Sequence, residues 1–366
     1  MEFQTERETL LRPLQSIIGV VERRQTLPIL ANVLIEKTED RLCLTATDLE
    51  VELKTESTLE GGQPGQVTVP ARKLMDIVRN LPDDATLHLK QEQDRIVVKA
   101  GPSRFSLATL PADDFPTADD IQPSHRFALP QSQLRWLIEK THFAMALQDV
   151  RYYLNGLLIE LEGQHLRAVA TDGHRLALSA VSSSEELGEA VQVIVPRKGV
   201  QEMLRLLDDD DEPVEIDLGA GHVQVTLAGI RFTSKLIDGR FPDYQRVIPE
   251  EEGSFAVVDR ETLRKALVRA SILANEKYRG VRFGFEADQL RIQSNNPEQE
   301  EAEEQVPATY NGEAMEIGFN ASYMLDALAA IDEKTVQLYV RDANSSALIL
   351  GEATRNARYV VMPMRL

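Results

Sequence analysis

The residues best suited to chemistry lie in one short stretch, Ala170-Thr171-Asp172-Gly173-His174-Arg175-Leu176. An acid, an imidazole and a guanidinium fall within four residues, beside a glycine that lets the backbone turn. In an extended strand Asp172 and His174 share a face, as a general acid–base pair requires. A hydrolase or transferase built on that pair is therefore one reading. It also needs a nucleophile or metal and a group that orients the base. The rest of the sequence offers neither. It has no H-E-x-x-H, no C-x-x-C and no glycine-rich phosphate loop followed by lysine. His88, His125, His142, His165, His174 and His222 are scattered without metal-ligand spacing. The single cysteine, Cys43, sits in the strand-like RLCLTAT and reads as a buried, inert thiol in a reducing compartment. No metal and no cofactor are expected.

The elements that must position this stretch repeat themselves. SRFSLATLPADDFP (103–116), IRFTSKLIDGRFPDY (230–244) and ARYVVMPMRL (357–366) carry Arg104-Phe105, Arg231-Phe232 and Arg358-Tyr359 at separations of 127. LTATDLE, AVATDGH and IQSNNPE recur in the same order, with Thr47, Thr171 and Asn295 each 124 apart. Several matches at nearly one period define a triplication. The first-third copy, ATDLE, lacks histidine, so the repeat does not need His174 to fold. TERETLLRPLQSIIGV, LPQSQLRWLIEKTHFA and VDRETLRKALVRASIL each read as an amphipathic helix after a polar cap. A second helix follows VTVP, VIVP and IGFN in each third, and alternating strand material fills the remainder. The expected fold is α+β, with each third reading helix, strands, helix, strands. The Pro-rich, acidic DDFPTADDIQPSH and DGRFPDYQRVIPEEEGS read as linkers between domains at 1–122, 127–244 and 245–366.

At 366 residues, with 43% hydrophobic and 27% charged residues, the chain fits two or three soluble domains. It lacks an apolar run long enough to span a membrane, and its N-terminus does not read as a secretory signal. The net charge of -19 argues against a simple basic nucleic-acid binder. The charge is segregated, however. Helices expected at 6–24, 72–81, 132–142, 197–207, 260–273 and 321–331 carry 16 Lys and Arg against 8 Asp and Glu. Five of the six are basic, and the last has no basic residue. One positive surface on an acidic protein would attract a phosphate backbone without reading bases.

The triplication, with TLPIL, QDVRYYLNG, ATDGHRLA, VPRKG, DGRFPDY, NNPEQEEAEE and YVVMPMRL, resembles the β subunit of bacterial DNA polymerase III, the β sliding clamps. The resemblance runs from the first helix to the last residue. It implies three DNA-clamp domains per chain, with helices lining a hole, sheets outside, and two chains closed head to tail as a ring around duplex DNA. The implied function is a non-enzymatic processivity factor, against the rivals of an acid–base enzyme and a sequence-specific DNA binder. Implied partners are a second copy, duplex DNA without sequence specificity, the clamp loader, the replicative polymerase subunit, translesion polymerases and repair proteins. The proteins bind through short linear peptides, no membrane is involved, and the location is cytoplasmic, on the nucleoid during replication.

Carried over by this resemblance, Arg24, Arg72, Gln148, Tyr152 and Tyr153 touch DNA. Leu154, Thr171, Gly173, His174, Arg175 and Leu176 join Pro242, Arg246 and Val247 and a tail of Val360, Met362, Pro363 and Met364 as a peptide groove. The apolar tail suits such a surface, with Met adaptable to many partners and alternation expected to bury Val361 and free its neighbours. Tyr152 and Tyr153, read as strand residues, should point to opposite faces. Head-to-tail closure sets Lys73, Arg104, Phe105 and Leu107 against Ile272, Leu273 and the acids Glu298, Glu300, Glu301 and Glu304.

Overall fold

The computed structural model describes residues 1–21, 27–118, 121–183 and 186–365. Among them are twenty-four strands and six helices, and each third supplies strand, helix, four strands, helix, three strands. The first third runs β1 (Glu2–Glu6), α1 (Arg7–Ile17), β2 (Asn32–Lys37), β3 (Arg41–Thr47), β4 (Val51–Thr58), β5 (Gly65–Pro70), α2 (Ala71–Arg79), β6 (Thr86–Glu92), β7 (Arg95–Ala100) and β8 (Ser103–Ala108). The central third runs β9 (His125–Pro130), α3 (Gln131–Glu139), β10 (Gly156–Glu162), β11 (His165–Thr171), β12 (Arg175–Ser182), β13 (Val191–Pro196), α4 (Arg197–Leu206), β14 (Pro213–Leu218), β15 (His222–Leu227) and β16 (Ile230–Lys235). The last runs β17 (Ser254–Asp259), α5 (Arg260–Ala270), β18 (Gly280–Glu286), β19 (Gln289–Asn295), β20 (Glu301–Tyr310), β21 (Met315–Asn320), α6 (Ala321–Ala330), β22 (Thr335–Val340), β23 (Ala347–Gly351) and β24 (Ala357–Val361).

The repeat differs from the expected pattern by a leading strand. β1, β9 and β17 each pair with the strand that follows the second helix, β6, β14 and β22. β5, β13 and β21 pair in turn with β2, β10 and β18. The two halves of each repeat thus exchange their first strands.

The chain forms two compact units. One comprises Met1–Ser132 and Gln201–Leu236 and holds a four-stranded sheet, β1-β6-β7-β8, and an eight-stranded sheet, β5-β2-β3-β4-β16-β15-β14-β9. The other comprises Gln133–Val200 and Ile237–Leu366 and holds one twelve-stranded sheet, β13-β10-β11-β12-β24-β23-β22-β17-β20-β19-β18-β21. The division passes through the central repeat because sheets run on from one repeat into the next, by β4 with β16 and by β12 with β24. Both junctions use one register. Leu53 faces Phe232, Ala177 faces Tyr359, and the two pairs occupy equivalent repeat positions.

Helix faces follow the 3.6-residue period. Leu10, Leu14 and Ile17 of α1 and Leu74 and Val78 of α2 are fully buried in the first unit. Leu263 and Leu267 of α5 and Met324 and Leu328 of α6 are buried in the second, where Phe283 packs edge-on against Phe319. Each such side chain contributes about 1.5–3 kcal/mol of apolar burial. The first helix is shorter than the expected 6–24. It stops at Ile17, where Gly19 and two buried β-branched residues, Val20 and Val21, follow and i→i+3 bonds tighten the end. Arg24 lies outside the described residues. The expected second linker is also structured: Tyr244 is buried and 244–247 form a 3-10 turn.

Candidate functional site

ATDGHRL is a hairpin turn. β11 ends at Thr171, β12 begins at Arg175, and Gly173 between them has φ +87°. Asp172 Oδ1 accepts the backbone N–H groups of His174 (2.9 Å) and Arg175 (3.0 Å), while Thr171 Oγ1 accepts that of Gly173 (3.1 Å). This corrects the extended geometry on which the acid–base pairing of Asp172 and His174 depended. The carboxylate is occupied in closing the turn. The first third does the same without histidine, Asp48 Oδ1 accepting from Glu50 (2.9 Å) and Val51 (2.7 Å).

Arg175 turns inward. Its guanidinium donates to Asp172 (3.2 Å), to the Phe143 carbonyl (2.7 Å) and to the Asp326 carboxylate of α6. It also lies over the Tyr323 ring at 4.6 Å and the Phe143 ring at 5.5 Å. With all three nitrogens engaged and the side chain 13% exposed, it braces the turn against α6. His174 is exposed, and its carbonyl accepts the Met362 N–H at 2.9 Å.

That bond joins the turn to the C-terminal segment. β24 pairs with β12 as far as Val361, and Met364 N–H then reaches the Gly318 carbonyl at 2.7 Å. The expected alternation does not hold here, since Val360 and Val361 are both buried. Val360, Leu154 and Leu176 share one apolar cluster with Tyr244 and Tyr339. Val247 and Met362 are exposed, Pro242 and Arg246 lie in solvent, and Pro363 and Met364 are half-buried. A groove of about 800 Å³ has Arg246, Val247 and Met362 in its walls, with Ile248, Tyr339 and Arg341. Ile248 and Tyr339 were missed from sequence: one lay in a presumed linker, the other in strand material that was not read residue by residue. The apolar Val247-Ile248-Pro249 inside an acidic stretch was the available signal. Beneath the groove the Tyr339 ring stacks on Phe255 at 5.0 Å. Tyr244 donates its hydroxyl to Glu160, and burial with that bond pushes its pKa up to about 12.

Tyr152 and Tyr153 lie in a 3-10 turn (Tyr152–Leu154), not a strand. Opposite faces therefore do not follow, yet the exposure is still unequal: Tyr152 is 56% exposed and Tyr153 half-buried, their rings edge to face at 5.8 Å. Gln148 is exposed at φ +54°, between the exposed Leu147 and Val150. Arg151 bonds Asp149 through side chain and backbone N–H and holds its carboxyl down at about 2. Arg72 donates to the Val21 carbonyl, and its buried Nε has no partner among the described residues.

Lys73 is exposed on α2, and Arg104 on β8 is exposed beside the half-buried Phe105 and Leu107. Ile272 is 73% exposed, with Leu273 half-buried. Glu298 and Glu300 precede β20 and Glu301 opens it, all three exposed, so part of the acidic run is a strand. Glu304 is bound within its own chain by Arg269, two bonds of 2.7 Å that hold its carboxyl below the usual range. Among the described residues the outer edge of β8 has no strand partner, and residues 301–306 of β20 pair with β19 alone.

Three copies of one ten-element unit, joined edge to edge, with Asp48 and Asp172 closing turns and Asp326 and Glu304 in ion pairs, define a repeat-built scaffold class. Among the described residues no cluster of three His, Cys, Asp or Glu could hold a metal, and no helix is long and apolar enough to cross a membrane. The N-terminal, central and C-terminal domain models of the DNA polymerase III beta subunit match residues 1–119, 128–243 and 245–365. The beta sliding clamps of Pseudomonas putida and Escherichia coli K12 are 54% and 50% identical, over the whole of both chains. A crystal structure of the DNA polymerase III subunit beta from Pseudomonas aeruginosa superposes with TM-score 0.97 at 52% identity, again over both full chains. The chain belongs to the DNA polymerase III beta subunit family, the beta sliding clamps. It is a non-catalytic processivity factor built from three repeated α+β clamp domains.

Proposed function

We propose that two chains close head to tail into a ring around duplex DNA, each chain contributing domains 1–122, 127–244 and 245–366. The observation that carries this is the register of the two internal junctions. The fourth strand of one repeat pairs with the eighth strand of the next, first as β4 with β16 and again as β12 with β24. Among the described residues, 301–306 of the last repeat's β20 and the first repeat's β8 each present an open edge. Transferring the register predicts Ser103 opposite Glu303, Phe105 opposite Glu301 and Leu107 opposite Gln299 in a second copy. A heterologous contact that closes after two copies gives a ring in which neither β8 nor β20 keeps an open edge. Lys73, Arg104, Phe105 and Leu107 then face Ile272, Leu273 and the acids Glu298, Glu300 and Glu301. Glu304 contributes through Arg269.

Basic helices would line the hole and meet phosphate without reading sequence, with Arg24, Arg72, Gln148, Tyr152 and Tyr153 as the contacting set. The groove beside Met362 would take short linear peptides of the clamp loader, the replicative polymerase subunit, translesion polymerases and repair proteins. Leu154, Leu176 and Val360 support its floor. Thr171, Gly173, His174 and Arg175 hold its wall, and Pro242, Arg246, Val247, Pro363 and Met364 edge it. The setting is cytoplasmic. The test is retention on nicked circular against linear DNA: a threaded ring stays on circles and leaves free ends. Equal retention on both would refute encirclement and favour a site-specific binder.

A further inference from the structure

We propose that the seam carries a helix-end clasp, in which Arg79 of one copy caps the carbonyls of Val268 and Arg269 at the end of α5 in the second copy. The proposal rests on the head-to-tail closure above. Its model is the first internal junction. There Arg205 of α4 is steadied by Glu202, three residues earlier, at 2.9–3.0 Å. It donates to the carbonyls of Gln15 (3.3 Å) and Ser16 (2.5 Å) in the last turn of α1. The final carbonyls of a helix have no intrahelical donor, and a cation there also meets the negative end of the helix dipole. The second junction solves the same problem from the other side. Lys140, just past α3, donates to the Ala330 carbonyl at the end of α6 (2.7 Å).

α2 repeats the first device. Asp76 and Arg79 stand 126 residues before Glu202 and Arg205 and form the same i,i+3 ion pair. Arg79 is nevertheless 53% exposed, and among the described residues it reaches no helix-end carbonyl. The helix equivalent to α1 in the last repeat is α5, where Val268 and Arg269 stand 253 residues beyond Gln15 and Ser16. Arg269, at the Lys140 position of α5, is turned to Glu304, which takes its Nε and Nη2. Sizes are exchanged as well. A Cβ at Gly19 would strike the Glu202 carboxylate, so a side chain there would displace the Glu202–Arg205 pair. Ile272, 73% exposed, occupies the Gly19 position of α5, and Asp76, one methylene shorter than Glu202, leaves it room.

The full-length protein tests this without DNA. Arg79→Ala should raise the dimer dissociation constant about tenfold in sedimentation, a change of about 1.4 kcal/mol, and Arg79→Lys should recover part of it. A chain carrying Arg79→Cys and Val268→Cys should yield a covalent dimer with a short bismaleimide, the one native thiol, Cys43, being buried. An unchanged dissociation constant for Arg79→Ala together with no cross-link overturns the clasp. Ile272→Ala with Leu273→Ala separates the two ideas. If that variant dissociates while Arg79→Ala does not loosen and the cysteine pair does not cross-link, the clasp alone fails. If that variant also remains dimeric, the head-to-tail seam itself fails.

Discussion

At the scale of single residues, the groups that looked reactive hold the backbone in place. Asp172 accepts two turn amides, and Arg175 spans the turn, the Phe143 carbonyl and Asp326. Arg175→Ala strips a half-buried carboxylate and a carbonyl of their donor, so unfolding in denaturant should show a loss of about 2 kcal/mol. His174→Ala removes an exposed ring and should leave stability within about 0.5 kcal/mol. Equal losses in the two variants would contradict this division of labour. Arg175's bonds to Phe143 and Asp326 were not legible in sequence, because those residues lie 32 and 151 positions away. The turn itself was legible, since Asp followed by Gly has a local mechanism. What misled was treating Asp172 and His174 as extended, where Gly173 takes a positive φ.

At the scale of elements, the sequence exposed what recurs and concealed what crosses. Helices and most strands could be found because three copies vary around one period. The leading strands β1, β9 and β17 escaped because each runs without a break into a helix, and their pairing with β6, β14 and β22 is non-local. β24 defeated the alternation rule for another reason. It lies between β12 and β23 with Tyr359, Val360 and Val361 all buried, and a strand covered on both faces reads as a continuous apolar run. The segment after it is attached lightly, by the Met362 and Met364 amide bonds. Deleting residues 362–366 should therefore leave the far-ultraviolet spectrum and the dimer unchanged. It should also abolish anisotropy with a fluorescent peptide from a clamp-binding protein, since Met362 is in the groove wall. Full peptide affinity in the truncated chain would move the binding site elsewhere.

At the scale of the whole molecule, the question is what would close the proposed ring. Charge alone is a poor candidate. Glu304 is already satisfied by Arg269, Arg104 has Glu92 at 3.8 Å within its own chain, and both arginines are more than half exposed. Exposed ion pairs of this kind contribute about 0–1 kcal/mol each and weaken in salt. The apolar surface is the better candidate, because Ile272 exposes most of its side chain beside Leu273, while β8 offers Phe105 and Leu107. Burying two such aliphatic chains at each of two seams is worth several times an exposed pair, at about 0.8 kcal/mol per methylene. Ile272→Ala with Leu273→Ala should accordingly give folded monomers in sedimentation at micromolar concentration, with unaltered secondary structure and no retention on circular DNA. Raising salt to about 1 M should loosen the unmodified dimer far less than this substitution does, because the Debye length falls to about 3 Å while apolar burial persists. Dissociation by salt alone, with the double substitution still dimeric, would mean that the acidic run closes the seam and the apolar cluster does not.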